Sequence, residues 1–293
     1  MSDHPLPSTM AQLLAQAAVT HGERPFIHDG AQVLNFLELE AACRRVSRAM
    51  LAAGLGRGDR VAIWAPNRLE WILVAIGAQS IGAILVPLNT RLKGGEAAYI
   101  LNRSGARLLF TVSAFAGNDY PAMLAGQSLP GLERTVLLDG ASWGDFLAAA
   151  DGVDPGALAA AQAAVGPQDT LDLMFTSGTT GKPKGVMTSH SQNIRVFDTW
   201  SHTVGLRSDD NYLVINPFFH TFGYKAGWLA SLIRGTQIFP VAAFDVLEVL
   251  HRIQRDRITM LPGPPTVYQT LLAHPDRQNY DLSSLRLAVT GAA

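Results

Sequence analysis

Residues 176–185 read TSGTTGKPKG. Folding alone gives no reason to place hydroxyls at Thr176, Ser177, Thr179 and Thr180 and glycines at Gly178, Gly181 and Gly185 beside Lys182 and Lys184. The set suits a polyphosphate. Glycines let backbone N–H groups approach a ligand closely, hydroxyls add donors, and the lysines neutralise charge. A short buried strand is expected just upstream, over 170–175 (TLDLMF), and a helix downstream over 189–204, so that strand, glycine-rich loop and helix follow one another. The competing reading of any Gly/Ser/Thr cluster is a surface turn. The loop is not the P-loop of kinases and GTPases, which needs GxxxxGK[ST]; here the glycine spacing differs and Pro183 follows Lys182.

Apolar and β-branched runs alternate with helical ones through most of the 293 residues. Helices are expected over 36–53, 69–81, 95–103, 143–150, 225–233, 246–255 and 266–274. Strands are expected over 60–65, 83–86, 107–112, 134–139, 212–215, 237–239, 258–261 and 285–289. This order implies an α/β fold of layered, mostly parallel sheets covered by helices. Residues 151–168 (DGVDPGALAAAQAAVGPQ) are poor in large apolar side chains and read as a connection, with one or two helical turns left open in the alanines. The expected division is a first α/β subdomain over 1–150, this connection, and a second α/β subdomain over 169–293 carrying the phosphate loop.

With 48% hydrophobic residues the chain can bury a large core. A net charge of −1, evenly spread, gives no footprint for nucleic acid or an anionic membrane. The uncharged run 71–88 (WILVAIGAQSIGAILVPL) has about the length of a membrane span. Gln79 and Ser80 at its centre, Gly77, Gly82 and the terminating Pro87 favour a buried helix followed by a strand instead. The start MSDHPLPSTM carries no secretory pattern, and the single cysteine, Cys43, reads as a core residue of a protein kept in a reducing cytoplasm. Histidines lack HxxxH or HExxH spacing, so no metal site and no zinc hydrolase is expected.

The loop resembles, letter for letter, the TSGTTGxPKG signature of the adenylate-forming superfamily, which includes acyl-CoA synthetases, peptide-synthetase adenylation domains and luciferases. Further resemblances follow in family order: LNFLEL (34–39), GAILVPLNTRL (82–92), PFFHTFGY (217–224), LPGPPTVYQTL (261–271) and TGAA (290–293). Within the superfamily, INPFFHTFGYKAG, LPGPPTVYQTLLAHP and DLSSLRLAVTGAA look most like actinobacterial acyl-CoA ligases acting on a steroid-derived bicyclic propanoate. Family members run further, through a YGxTE box, a TGD aspartate, a hinge and a lid domain. The chain is therefore expected to hold an incomplete N-terminal domain of the adenylate-forming fold without the C-terminal lid.

The resemblance implies an acid–thiol ligase that uses ATP, Mg²⁺ and coenzyme A on a small-molecule carboxylic acid, with no nucleic-acid partner; self-association is left open. It places Thr176, Ser177, Gly178, Thr179, Thr180, Gly181, Lys184, Gly291 and Ala292 at the nucleotide, and Lys184 and His220 in catalysis. Phe219, His220, Tyr224, Lys225, Gly263, Tyr268 and Ala293 would line the acyl pocket. Each pocket residue is also readable as ordinary packing. Lys225 stands out, because a cation at the start of a helix opposes the helix dipole and could instead meet a polar group on the substrate. His190 and Asn193 read as groups that cap or orient the helix after the loop. The alternatives are a fatty acid substrate, an amino-acid adenylation domain, for which PFFHTFGY lacks the aspartate that would pair an ammonium, a luciferase-like oxygenase, and an ATP- or acyl-binding module without turnover.

Overall fold

The computed structural model describes residues 6–176 and 183–291. Its chain contacts group into two units, the first made of residues 1–16, 39–66 and 70–194, the second of 17–38, 67–69 and 195–293. The chain opens with the helix Met10–His21 and a hairpin, β1 (Pro25–Asp29) and β2 (Gln32–Asn35), neither of which the sequence patterns announced. LNFLEL proves to be a helix start. Glu38 N–H donates to Asn35 Oδ1 at 2.8 Å and Asn35 N–H to Glu38 Oε2 at 2.9 Å, a reciprocal cap for the helix Phe36–Ala52.

The first unit is built on β3 (Arg60–Trp64), β4 (Ile84–Pro87), β5 (Leu108–Thr111), the short pair β6 (Ala114–Phe115) and β7 (Asn118–Asp119), then β8 (Arg134–Leu137), β9 (Thr170–Thr176) and β10 (Lys184–Ser189). Its main sheet runs β10-β9-β4-β3-β5-β8, parallel throughout except for the antiparallel β9–β10 pair. The central strands are buried along nearly their whole length, as a parallel sheet covered on both faces requires. The uncharged run 71–88 divides as expected: the helix Leu69–Ser80 ends, Gly82 turns the chain at φ 75°, and β4 begins. Among the described residues no helix is long and apolar enough to cross a membrane. Cys43 is fully buried, which pushes its thiol pKa up and keeps it unreactive.

The second unit adds β11 (Asn211–Val214), β12 (Gln237–Pro240), β13 (Met260–Gly263) and β14 (Leu287–Thr290) to the opening hairpin, in the order β14-β13-β11-β12-β1-β2. Only β1–β2 is antiparallel. Leu213, Phe239, Leu250, Ile253, Leu261 and Leu271 lie in its core beside the helices Val246–Arg255 and Pro265–Ala273.

Two expectations change here. The division at 151–168 gives way to another grouping: Pro155–Ala163 is a helix with Leu158 buried, and β9 pairs with β4 through Leu85 and Asp172, so the phosphate-loop strands complete the first unit's sheet. Periodicity shows that a strand exists but not which sheet receives it. The loop also does not lead straight into a helix. β10 intervenes, and the helix His190–Thr203 follows it.

Candidate functional site

In the first unit, the register of β9 and β10 sets the chemistry of the loop's two ends. Lys184 lies opposite Thr176, with the Thr176 hydroxyl donating to Lys184 O at 3.5 Å, and Gly185 lies opposite Phe175. Thr176 and Lys184 are both exposed. Thr176 and Lys184 thus face each other across the last paired position of the hairpin. Ser177, Gly178, Thr179, Thr180 and Gly181 lie outside the described residues, as do Ala292 and Ala293.

The base of the hairpin is the rigid part. Asp172, buried on β9, accepts from the Thr188 hydroxyl on β10 at 2.7 Å, and Asn193 Nδ2 donates to that hydroxyl (2.9 Å) and to Ser189 O (2.8 Å). Ser189 and Gln192 cap the helix reciprocally. His190 is fully buried, and its Nδ1 accepts the Met10 N–H at 3.1 Å, satisfying an N–H at the start of the helix Met10–His21. Burial lowers its pKa to about 4, so the ring is neutral with its proton on Nε2. Asn193 ties the helix that follows the loop to β10, as the sequence suggested, whereas the His190 ring serves the start of the helix Met10–His21 instead.

The second unit carries the other candidates. β11 leads into PFFH, whose His220 N–H donates to Pro217 O at 3.0 Å and whose imidazole caps a helical turn, Nδ1 accepting Phe222 N–H at 3.2 Å. His220 is solvent-accessible, yet the protein around it removes part of its hydration and lowers its pKa. The helix therefore begins at Thr221, four residues before the expected start at Lys225. Tyr224–Leu229 is π-helical, and α-helix resumes at Ala230–Arg234. Such bulges widen a helix by one residue and concentrate at functional sites.

That shift corrects the reading of Lys225. It lies inside the π-helical segment, 4% exposed, with Nζ 5.5 Å from the centre of the Tyr224 ring, a cation–π contact. A helix-start dipole is not what it meets. Tyr224 is fully buried and stacks on Trp228 at 4.9 Å. Phe219 is half-buried beside them in sequence, and Phe222 packs edge-on to Trp200 at 6.2 Å.

Gly263 and Gly291 come together at the ends of β13 and β14, Gly291 N–H donating to Gly263 O at 3.4 Å, and a Cβ on Gly291 would lie 4.0 Å from the Phe222 ring. The structure thus brings Gly291, Phe222 and the His220 turn into one neighbourhood. The Tyr268 hydroxyl lies 2.8 Å from Leu261 O and 3.0 Å from Val289 O, tying the helix Pro265–Ala273 to β13 and β14 two residues before those glycines. Desolvation raises its pKa accordingly. Among the described residues no group of three or more His, Cys, Asp or Glu side chains could hold a metal ion.

Sequence reading missed Asn67. Its Nδ2 donates to Asn216 O at 2.9 Å and Val214 O at 3.3 Å, and its Oδ1 accepts Phe218 N–H at 2.6 Å. An asparagine after a strand reads locally as a turn residue, and nothing near it signals partners some 150 positions away.

Comparison with known proteins agrees with this geometry. The model of the AMP-binding enzyme family matches residues 14–293. A 3-[(3aS,4S,7aS)-7a-methyl-1,5-dioxo-octahydro-1H-inden-4-yl]propanoyl:CoA ligase of Rhodococcus jostii is 44% identical over 98% of this chain and 58% of its own length. The ligase of the same name from Mycobacterium tuberculosis is 48% identical over 87% of this chain and 51% of its own. The chain thus spans about half the length of these relatives. Among solved structures, the inhibitor-bound N-terminal domain of FACL13 from Mycobacterium tuberculosis superposes with a TM-score of 0.86 at 27% identity, covering 97% of this chain and 70% of that one. With the signature hairpin, the parallel sheets and a match over nearly its full length, the chain belongs to the AMP-binding enzyme family.

Proposed function

We propose that this chain supplies the nucleotide-phosphate and acyl-binding elements of an ATP-dependent acyl-CoA ligase. In that reaction a carboxylate attacks the α-phosphate of ATP, pyrophosphate leaves, and the thiol of coenzyme A then displaces AMP from the acyl-adenylate. The observation that carries the reading is the β9–β10 hairpin, which pairs Lys184 with Thr176 at the exposed strand ends that flank the loop. A cation and a hydroxyl donor there suit the departing pyrophosphate, because charge neutralisation and positioning give such transfers most of their rate. Thr176 and Lys184 fit a nucleotide polyphosphate; Mg²⁺, which further neutralises the phosphates, would enter with them.

His220, Phe219, Tyr224, Lys225, Gly263 and Gly291 would form the acyl side, with His220 near the reacting carboxylate. The proposed acid is a steroid-derived bicyclic propanoate, supported by the names of the Rhodococcus and Mycobacterium relatives. The buried Lys225 is the candidate for a ring ketone.

In the full-length protein, Lys184→Ala is expected to slow adenylation about ten- to a hundredfold, the equivalent of losing roughly 1.5 to 3 kcal/mol of charge-assisted hydrogen bonding. ATP–pyrophosphate exchange reads it, and an unchanged rate removes the assignment. Retained nucleotide binding with no exchange in the unmodified protein would instead identify a binding module without turnover. For the acid, Lys225→Met should lower kcat/KM about tenfold more on a ring-ketone propanoate than on a plain fatty acid. Equal losses would leave Lys225 with a packing role only.

A further inference from the structure

The segment that carries His220 is clamped by a side chain distant in sequence. Asn216 and Phe218 lie beyond the end of β11, where the strand ladder no longer serves the backbone, and both are buried. Buried carbonyl and amide groups need partners. Asn67, itself 5% exposed, supplies them with both ends of one amide: Nδ2 to Asn216 O and Val214 O, Oδ1 from Phe218 N–H. The Oδ1 contact, at 2.6 Å, is the shortest of the three.

From this clamp to the imidazole is a single turn. His220 N–H closes on Pro217 O, His220 O accepts Tyr224 N–H at 2.9 Å, and His220 Nδ1 accepts Phe222 N–H. The same turn is pressed from the other side by Gly223, where a Cβ would stand 2.2 Å from Asn216 O and 2.3 Å from Pro217 O. The carbonyls that Gly223 crowds are thus the one Asn67 holds and its neighbour.

We propose that Asn67 is a positioning residue for His220: its amide fixes the 216–218 backbone so that the imidazole keeps its Nδ1 on Phe222 N–H and presents Nε2 outward. The catalytic half of the statement rests on the reading of His220 given above; the mechanical half does not. With the turn fixed, Nδ1 is occupied as an acceptor and the ring is partly stripped of water, both of which disfavour the imidazolium. Without the clamp the turn loosens and the ring regains solvent.

Two measurements separate the halves. In the 293-residue chain, histidines labelled with ¹³C are followed by NMR against pH, with His220 assigned by its loss in His220→Gln. Asn67→Leu, similar in size but without hydrogen bonds, should raise the His220 midpoint toward that of a free histidine. Val249→Ala, which opens the second unit's core away from the turn, should leave it in place. If Asn67→Leu does not fold, Asn67→Ser, which keeps one oxygen, gives the same reading. An unchanged His220 midpoint in a folded Asn67 variant overturns the clamp.

In the full-length protein, Asn67→Leu should lower kcat for adenylation roughly tenfold with less than about a twofold change in KM for ATP. That loss should vanish in a His220→Ala background, because a residue acting through another has nothing left to position. A full tenfold loss persisting in that background overturns positioning through His220. If His220→Ala itself leaves the rate unchanged, the catalytic reading of His220 fails, while the NMR midpoint still decides whether Asn67 holds the turn.

Discussion

The β9–β10 hairpin and the 216–229 segment belong to one proposed reaction, yet they are built in opposite ways. The hairpin ends in exposed side chains on the edge strand of a sheet: Lys184 is exposed, and so are Val186 (48%) and Met187 (68%). The 216–229 segment is exposed only around its first turn, at Pro217, His220 and Thr221, and is buried from Gly223 onward, with Tyr224 and Trp228 at 0% and Lys225 at 4%. A group that must reach a large, mobile anion can sit on a pliable edge. A group that must shape a pocket needs its backbone over-determined, and here an amide clamp, a capping histidine and a π-helical turn do so within fourteen residues.

The sharpest way to break that comparison is the same substitution in both places, starting where the effect is largest. At Gly223 a Cβ would meet Asn216 O at 2.2 Å and Pro217 O at 2.3 Å, and both obstacles are backbone atoms. Asn216 O is held by Asn67, so it cannot withdraw without losing a buried hydrogen bond. Gly223→Ala is therefore expected to cost about 3 kcal/mol or more in denaturant unfolding of the chain, the upper end of overpacking. A loss below about 1 kcal/mol would show the segment to be pliable and end the contrast.

The two regions also differ in how legible they were. The buried strands β3, β4 and β5 announced themselves because a strand covered on both faces must be a continuous apolar run. The residue types of the 176–185 loop carry its family signature openly, since that signature lies in side chains and glycines next to each other in the chain. β10 escaped notice because KGVMTS is short, exposed and continuous with the motif, so it lacked the burial that makes a strand visible. The π-helical turn escaped because one extra residue per turn barely alters a helical pattern over six residues. Asn67 was out of reach altogether, for its meaning lies in partners at 214, 216 and 218.

The histidines sharpen the comparison next. His190, at the base of the hairpin, is fully buried and titrates at about 4 in the folded chain, against an ordinary value near 6.5 when unfolded. Between those values the unfolded state binds a proton that the folded state refuses, so stability rises with pH there and falls as acid is added. From pH 6.5 down to about 4, this group alone should remove about 3 kcal/mol of unfolding free energy. Denaturant unfolding at a series of pH values reads it, with His190→Gln, which has no proton to refuse, as the partner experiment. The variant should show a flatter profile over that window. An identical slope in both proteins would assign the acid sensitivity to other groups. His220, open to solvent in the second region, should leave no comparable mark on stability.

The smallest expected effect is the counterpart of the first. A Cβ on Gly185 would lie 2.7 Å from Leu173 Cδ1 and 3.5 Å from Phe175 Cζ, both atoms at the far ends of side chains that can turn aside. Gly185 is exposed on an edge strand with solvent on one side, so the leucine methyl has room to rotate within its staggered wells. The added methyl also narrows the unfolded chain's freedom, which offsets part of the crowding. Gly185→Ala should thus change the unfolding free energy by about 1 kcal/mol or less, several-fold less than Gly223→Ala in the same assay. The ratio of the two losses is the quantity that matters, because it compares backbone crowded by backbone with backbone crowded by a movable side chain. Equal losses would mean that the hairpin is held as tightly as the 216–229 segment, and that its geometry is set by packing and not by its loop.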